Sequence, residues 1–513
     1  MAAPTKTNPS DKFFRTDHLR VNLSGRTARG GAVAISSQAL KFVITIGATS
    51  VMARLLTPSD YGLIGMVAFV TGFVAMYKDL GLSTATIQKS EISFEQTSTL
   101  FWINALLSLG ITLFTAAIAP LVAWFYGEPR LTLITVVTAA GFLLSGLAVQ
   151  HEALLRRQMR YFALASISLA SMAMGYVVGI ILAWKGFSYW ALVLSQLAVA
   201  TTGTLLTVTF CRWIPGLPKK NTGVRSMIRF GSNLTGFTTI NYFSRNLDNL
   251  LIGRVWGAQQ LGLYSRAYQL MGLPIDQINE PISSVAVPAL SRLTDSAESY
   301  RRAYLRMLEK IALLTMPCVI LMIATSDSIV RIVLGPQWAG TTKIFVLLGI
   351  TGLFQPIANT TGWLLISQGR TNHMLQWGFI SGPLTMGSII AGLPWGAVGV
   401  AASYAFTRVC IVDPLLYWFV GRRGPVRTID FYKTIAPFVL ASIVALLAAI
   451  EFRRWMNLNS NLMNIVTCGI VVAVTTFLML AILPTGRKAL YDVKNSAPLL
   501  LGSKGRASIQ SST

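Results

Sequence analysis

The sequence predicts an all-α, polytopic membrane protein with about fourteen transmembrane helices. Its 513 residues are 53% hydrophobic and only 12% charged, and the mean hydropathy is +0.58. Soluble globular proteins do not combine these values. Apolar segments of about 20 residues, the length that crosses a bilayer core, recur from Gly30 to Leu483 with only short polar breaks.

The predicted spans are separated by short loops on the outer side, which leave no room for an extracellular catalytic domain. After the eighth span, Asp295 with Glu298 resembles a capping box, which predicts a cytoplasmic helix before the ninth. The predicted spans are 31–56, 61–77, 98–124, 131–150, 163–184, 188–211, 230–256, 261–290, 309–334, 343–367, 374–393, 397–420, 434–451 and 463–483.

The distribution of basic residues predicts the orientation of these helices. The formal net charge is +24, and most of the 43 lysine and arginine residues lie in the tails and in every second loop. The other loops clearly hold only Arg130, Lys185, Lys343, Arg453 and Arg454. Because cytoplasmic loops carry an excess of lysine and arginine, both termini are predicted to be cytoplasmic, which requires an even number of spans. Topology alone explains the charge, so no nucleic-acid partner is predicted; a basic surface for anionic lipid or nucleic acid is the alternative.

Two parts of the chain resemble each other at a shift of 200 residues. The segment ARLLTPSDYGLIG aligns with GRVWGAQQLGLYS and matches Gly62 to Gly262. Near a shift of 210, LLRRQMR aligns with LLISQGR and matches Arg160 to Arg370 in corresponding inward loops. Since each repeat would hold six helices, an even number, the two repeats would share one orientation, related by an axis along the membrane normal.

This repeat predicts two six-helix lobes followed by an additional helix pair. A substrate site between two such lobes follows from the arrangement. The predicted organisation is a cytoplasmic basic tail (1–30), an N-lobe (31–212), a cytoplasmic linker (213–229), a C-lobe (230–420), a final helix pair (421–484) and a cytoplasmic tail (485–513).

The seventh span carries polar residues that are costly to expose to lipid. Asn241, Arg245 and Asp248 are spaced four and three residues apart, which places them on one face of a helix. Intramembrane charges face a partner, a cavity or a substrate. At the shift of 200, Lys41 of the first span corresponds to Asn241, so both lobes begin with a helix that has a polar stripe.

Four cationic residues are candidates to line a central cavity that binds a diphosphate: Lys41, Arg245, Arg266 and Arg408. Arginine suits this role because its planar fork pairs two oxygens at once. In the alternative interpretation, Arg245 with Asp248 and Arg408 with Asp413 are neutralising pairs that hold helices together.

Other polar residues within the spans suggest two further roles. Asp248, Asp276 and Glu280 are candidates for proton or sodium coupling, with salt-bridge counterions as the alternative. In the tenth span, Gln355 and Asn359 could contact sugar hydroxyls, with ordinary interhelical hydrogen bonding as the alternative.

Motifs for energy-coupled or metal-dependent enzymes are missing from the sequence. There is no Walker loop and no glycine-rich dinucleotide fingerprint, so no cofactor is predicted. His18, His151 and His373 are too scattered to suggest a metal site. We therefore predict that the protein is not an enzyme.

The sequence resembles the Wzx-type flippases, in the polysaccharide-transport branch of the multidrug/oligosaccharidyl-lipid/polysaccharide exporter superfamily, and among them the colanic-acid-type exporters. The resemblance covers roughly Gly30 to Arg427 and rests on two pairs of motifs. These are RLLTPSDYGLIGM with DLGLSTATIQ, and NYFSRNLDNLLIGR with LGLYSRAYQLMGLPIDQINEPISSVAVPALSRL.

The resemblance implies that the protein translocates an undecaprenyl-diphosphate-linked oligosaccharide across the bacterial inner membrane, by alternating access driven by an ion gradient. It also implies membrane lipid, a polysaccharide polymerase and a chain-length regulator as partners. One alternative is a sister exporter of the same fold for lipid II or drugs. The other is a membrane-embedded glycosyltransferase, polymerase or ligase, which the short outer loops disfavour.

Overall fold

The structure, a computed structural model, describes Phe14 and residues 23–79, 81–89, 92–219, 225–456, 460–484, 486–487 and 491. Within these ranges the side chains of 23–30, 32, 34–35, 225–241, 243–245, 280–281, 284 and 371 are not described.

The described residues form helices and connecting turns, without strands, which confirms the predicted all-α class. Two short 3-10 turns, Pro336–Trp338 and Leu393–Trp395, precede α11 and α13. The helices are α1 (Leu23–Leu55), α2 (Pro58–Ala75), α3 (Leu82–Gln88), α4 (Phe94–Tyr126), α5 (Arg130–Arg157), α6 (Tyr161–Trp184), α7 (Tyr189–Cys211), α8 (Arg225–Ser291), α9 (Ala297–Ala324), α10 (Ser326–Val333), α11 (Thr341–Ser367), α12 (Thr371–Gly392), α13 (Gly396–Thr407), α14 (Asp413–Gly421), α15 (Thr428–Met456) and α16 (Asn461–Ile482).

Every predicted span falls on one or two of these helices. Among the described residues, ten helical segments are long and apolar enough to cross a membrane, and one of them, Asn372–Gly421, contains two predicted spans. The remaining predicted spans lie on α1 and on the two parts of α8, which bends at Gly257. Gly257 has φ of +76°, a conformation that glycine adopts without the steric cost of a side chain.

Local capping signals explain where several helices begin. Thr57 and Asp60 form a capping box at the start of α2, with Pro58 in its first turn. Before α9, the N-cap is Ser296, whose hydroxyl accepts from the Ser299 amide; the Asp295–Glu298 capping box predicted from the sequence is therefore wrong. The predicted cytoplasmic helix and the ninth span form one continuous helix, because no breaking residue separates them.

The helices form two compact units. Unit 1 comprises the chain up to Gly262 together with 333–337, and unit 2 comprises 263–332 with 338 onward. In unit 1, α4 packs on α5, α6 packs on α7, and α1 packs on α6. The lobe boundaries predicted from the sequence remain predictions.

The first part of α8 packs in unit 1 against α2. The Tyr242 hydroxyl donates to the carbonyl of Phe69 at 2.7 Å, and the two rings lie 5.9 Å apart between centroids. A Cβ at Gly72 would lie only 2.4 Å from the Tyr242 hydroxyl. Glycine at this position therefore lets the tyrosine reach the α2 backbone.

Two helical turns of unit 1 approach each other so closely that only glycine fits at two positions. A Cβ on Gly62 would lie 1.7 Å from the carbonyl oxygen of Ala258, and a Cβ on Gly262 would lie 1.8 Å from that of Pro58. The shift of 200 residues relates Pro58 to Ala258 as well as Gly62 to Gly262. The contact is therefore reciprocal, because the residue that Gly62 faces is the repeat equivalent of the residue that Gly262 faces.

In unit 2, α9 packs against α11 and α15 around a core of buried aromatic residues. Tyr300 hydrogen bonds with Ser367, and Tyr304 with Thr360, each at 2.6 Å. Phe431 lies edge-on to Tyr304, with their ring centroids 5.8 Å apart. These bonds satisfy hydroxyl groups that would be costly to leave unpaired inside apolar helices.

Candidate functional site

The helix that carries Arg408 contains a turn of π-helix, Arg408–Val412, between α13 and α14. Pro414 follows directly and has no amide hydrogen, and its ring would clash with the carbonyl four residues earlier. The helical turn holds one extra residue here, so that the Asp413 amide donates to the carbonyl of Arg408, five residues earlier. Such π-bulges are rare and frequently occur at functional sites.

The widened turn brings Arg408 and Asp413 together. In a regular α-helix, residues five apart point about 140° away from each other, at 100° per residue. Across the π-turn, Nη2 of Arg408 instead lies 3.1 Å from Oδ1 of Asp413. Their side chains are 18% and 3% exposed, so this is a buried ion pair. The neutralising pair proposed from the sequence as an alternative role for Arg408 is thus present.

The environment of this pair is polar but incompletely hydrogen bonded. Tyr404, Tyr417 and Tyr268 are within electrostatic range of the Arg408 guanidinium. Among the described residues, neither Nε of Arg408 nor either carboxylate oxygen of Asp413 has a hydrogen-bond partner. Buried charges normally gain several hydrogen bonds besides their counterion. The pair is therefore neutralised but retains donor capacity for an anionic ligand.

The other predicted charged residues of unit 2 lie on α8, and the structure describes two of their side chains. Arg266 is half-buried and hydrogen bonds with Gln269 of its own helix. Asp276 is exposed and lies near Gly272 of the same helix. The side chain of Glu280, the third coupling candidate, lies outside the described residues. The roles of these residues stay predictions.

The two amides predicted to contact sugar lie on α11, close to the buried tyrosine contacts. Gln355 is half-buried, whereas Asn359 is exposed. Thr360, the next residue, accepts or donates the hydrogen bond with Tyr304. The α11 helix is therefore anchored to α9 at the residue that follows Asn359.

In unit 1, the predicted polar stripe is described only in part. Lys41 is half-buried on α1. Asp248 is 8% exposed, and its Oδ1 accepts the amide of Asn249 at 2.8 Å. The side chains of Asn241 and Arg245 lie outside the described residues, although both positions are helical. Whether Arg245 pairs with Asp248 or binds substrate stays a prediction.

Unit 1 also contains a buried polar chain that the sequence analysis missed. Asn104 donates to the carboxylate of Asp79 at 3.3 Å and accepts from Gln150 at 3.5 Å. Thr86 in turn donates to Gln150 at 2.9 Å. Asn104, Gln150 and Thr86 are fully buried. The signal was present, since Asn104 and Gln150 each interrupt an apolar span.

In the part of the chain that the structure describes, no group of three or more histidine, cysteine or carboxylate side chains could hold a metal ion. His151 is buried at 3% exposure, and its two ring nitrogens contact the carbonyls of Leu147 and Trp213, each at 3.1 Å. This histidine connects α5 to the segment after α7.

Apolar helices of membrane-spanning length that enclose buried ion pairs and polar chains define a polytopic membrane protein with a polar interior. The fold is similar to that of a solved lipid II flippase, MurJ, in an inward closed conformation. The TM-score is 0.68 at 14% identity, covering 89% of this chain and 98% of that one. Residues 51–343 match the family model described as polysaccharide biosynthesis protein, and the chain belongs to that family.

Named relatives agree with this family. The teichuronic acid biosynthesis protein TuaB of Bacillus subtilis is 25% identical over 79% of this chain and 85% of its own length. The lipopolysaccharide biosynthesis protein WzxC of Escherichia coli is 26% identical over 74% of this chain and 79% of its own length. The resemblance to Wzx-type flippases identified from the sequence motifs is thereby confirmed.

Proposed function

We propose that this protein is a flippase that translocates an undecaprenyl-diphosphate-linked oligosaccharide repeat unit across the bacterial inner membrane for surface polysaccharide biosynthesis. The observation that carries the proposal is a buried arginine with unused donor capacity, Arg408, within apolar helices of a chain from the polysaccharide biosynthesis family. A lipid diphosphate is the anion that such a transporter would have to hold inside the membrane.

The diphosphate would bind the cationic residues of the central cavity, namely Lys41, Arg245, Arg266 and Arg408. Arg408 would exchange its contact with Asp413 for phosphate oxygens, which it can bind in pairs. Gln355 and Asn359 would hydrogen bond with the sugars, and Asn241 would line the same substrate cavity. Ion-coupling roles are proposed for Asp248, Asp276 and Glu280, since intramembrane carboxylates commonly form such relays.

Movement of the substrate would use alternating access of the two six-helix lobes. The internal repeat of six and six helices supports this proposal. The charge distribution supports cytoplasmic termini. A polysaccharide polymerase and a chain-length regulator would act on the exported product.

The direct test is deletion of the gene in its own bacterium. Lipid-linked repeat units are expected to accumulate on the cytoplasmic leaflet, and surface polysaccharide is expected to be lost. Re-expression of the intact protein should restore export. Normal surface polysaccharide in the deletion strain, with no second exporter of this class in the genome, would contradict the proposal.

A sister exporter of the same fold is the second candidate, favoured by the similarity to the lipid II flippase structure. The two candidates differ in their ligands. Purified protein should bind a polyprenyl-diphosphate sugar more tightly than lipid II or organic cations if the main proposal holds. The reverse preference would support the second candidate.

A further inference from the structure

A cluster of cationic side chains lies where α12 begins and α14 ends. Arg370 immediately precedes α12, while Arg422 and Arg423 immediately follow α14. Nη1 of Arg370 donates to the carbonyl of Arg423, and to Oε1 of Gln368 at 3.2 Å. This contact fixes the Arg370 guanidinium beside the backbone of the second basic segment.

The Phe419 ring brings the other members of the cluster together. The Arg422 guanidinium lies 4.9 Å from the centroid of Phe419 and 4.8 Å from that of Trp418. The ring of His373 lies edge-on to the same Phe419, at 6.2 Å. Arg370, His373, Arg422 and Arg423 therefore surround one corner of unit 2, which we call the basic corner.

No anionic side chain neutralises the basic corner within the described residues. The salt bridges found there involve other arginines and lysines, and none includes Arg370, His373, Arg422 or Arg423. Burial and the nearby positive charge of Arg423 lower the pKa of Arg370. Because like charges repel, an anion that binds among these groups would be attracted by all of them.

Several donors at the basic corner are unused. Nη2 of Arg370 and Nε2 of His373 are buried and have no hydrogen-bond partner among the described residues. The N-cap Arg370 forms no side-chain cap on α12, and the His373 amide donates to the Arg370 carbonyl at 3.1 Å, which leaves the two amides before it as further donors. A helix N-terminus beside arginines is a favourable environment for a phosphate group.

The repeat provides an internal comparison for this cluster. In unit 1, Arg160 precedes α6 as Arg370 precedes α12, and its Nη1 donates to the carbonyl of Phe210 at 2.9 Å. The arginine clamp is therefore shared by both repeats and is explained by helix packing. At the shift of 210, Arg422 corresponds to Arg212, whereas Ala163 takes the place of His373 and Trp213 that of Arg423. The carbonyl that Arg423 supplies in unit 2 is supplied by Phe210 in unit 1. The side chains of His373 and Arg423 are therefore not needed for the clamp.

We infer that the basic corner is a binding site for a lipid-borne phosphoryl group. Arg422 and Arg423 would contact the phosphate oxygens, with His373 and the first amides of α12 as further donors. Arg370 would position the site through its bond to the Arg423 carbonyl. The corner joins two membrane-spanning segments, Thr341–Ser367 and Asn372–Gly421, so a headgroup rather than a soluble phosphate suits its location. The inference does not depend on the proposed flippase activity.

The test measures lipid binding to the purified full-length protein by native mass spectrometry. The probes are phosphatidylglycerol, farnesyl diphosphate and, as the neutral lipid, phosphatidylcholine. The test variant is Arg422→Gln with Arg423→Gln. The matched control is Arg302→Gln with Arg306→Gln, which removes the same charge from exposed residues of α9 in the same unit. If the test variant gives too little folded protein, Arg423→Gln alone replaces it, because that side chain is exposed.

Binding of at least one phosphoryl probe is expected to fall about tenfold or more in the test variant, because two charge-assisted hydrogen-bond donors are removed. The control should bind as the unaltered protein does. Loss of phosphatidylglycerol alone would assign the site to bulk anionic phospholipid. Loss of farnesyl diphosphate would assign it to a polyprenyl diphosphate. Equal losses in both variants, no loss in the test variant, or equal binding of phosphatidylcholine by the unaltered protein would overturn the inference.

Discussion

Arg408 has a structural role in an ion pair and a proposed role in binding substrate, and its buried position determines which variants can distinguish them. It is paired with Asp413 in a buried position, and it is also a candidate for the lipid diphosphate. Removing one member of a buried ion pair leaves an uncompensated charge, which is strongly destabilising. A simple loss of activity in an Arg408 variant would therefore not distinguish a folding defect from a binding defect.

A double variant, Arg408→Gln with Asp413→Asn, distinguishes a folding defect from a binding defect. Arg408→Gln alone is expected to destabilise the protein by about 3–5 kcal/mol, because Asp413 stays buried without a counterion. Adding Asp413→Asn removes the second charge and should restore much of that stability. If Arg408 binds the diphosphate, the double variant will fold but will bind a polyprenyl diphosphate weakly. Thermal unfolding in detergent and direct binding measurements check the two parts.

Arg408→Lys is the conservative companion of this experiment. Lysine keeps the positive charge but cannot bind two oxygens in a planar fork. Reduced export with normal folding is expected. A double variant that binds polyprenyl diphosphate as tightly as the unaltered protein would leave Arg408 with a structural role only.

At the scale of helices, the reciprocal glycine contact predicts a specific defect. Gly62→Ala places a Cβ against the carbonyl of Ala258, where the available distance is 1.7 Å. Overpacking of this kind costs about 1–3 kcal/mol, which lowers the population of the contacted state by about 5- to 150-fold. A cysteine at Ala258 should then react faster with a membrane-impermeant maleimide, and export should fall. Gly262→Ala should behave in the same way, because it meets the carbonyl of Pro58 at 1.8 Å.

Gly110→Ala is the matched control for the glycine variants. Gly110 lies in the middle of α4, and a Cβ there would meet nothing within 4 Å. Export and labelling should match those of the unaltered protein. Unchanged labelling and normal export in Gly62→Ala would mean that the contact does not restrict the transport cycle.

Regular helices can be predicted from the sequence more reliably than the residues at which they bend, widen or end. Apolar segments of the right length, with turn residues between them, predict α4, α6, α7 and α16 within a few residues, whereas α5 continues past its predicted end at residue 150 to Arg157. The continuous helix α9 and the π-turn at 408–412 were not predicted. Before α9, the predicted Asp295–Glu298 capping box competes with Ser296, and the sequence does not decide between them. At Pro414, the clash of the ring can be relieved by a kink or by a widened turn, and the sequence is compatible with both.

For the whole molecule, the charge distribution predicts which loops face the cytoplasm. Lys185, between α6 and α7, should be outside, and Asp295, between α8 and α9, should be inside. Both residues are exposed. With the four native cysteines replaced by alanine, a cysteine at Lys185 should react with impermeant maleimide in intact cells. A cysteine at Asp295 should react only after the membrane is permeabilised.

Each labelling site is the control for the other, because the same reagent and the same cysteine-free background are used. The opposite pattern would mean that the orientation is reversed and that the basic loops are outside. Reaction of both sites in intact cells would mean that the number of spans between them is even rather than odd.

The sequence by itself determined the class of this protein, the order of its spans and its resemblance to the flippases. Hydropathy and charge act on each segment separately, so they can be evaluated along the chain. The tertiary structure alone decided that Arg408 contacts Asp413 across a widened turn, that Gly62 faces Ala258, and that Arg370 meets Arg423. These contacts depend on a local departure from 3.6 residues per turn, or on the approach of distant segments, and helical periodicity does not encode either.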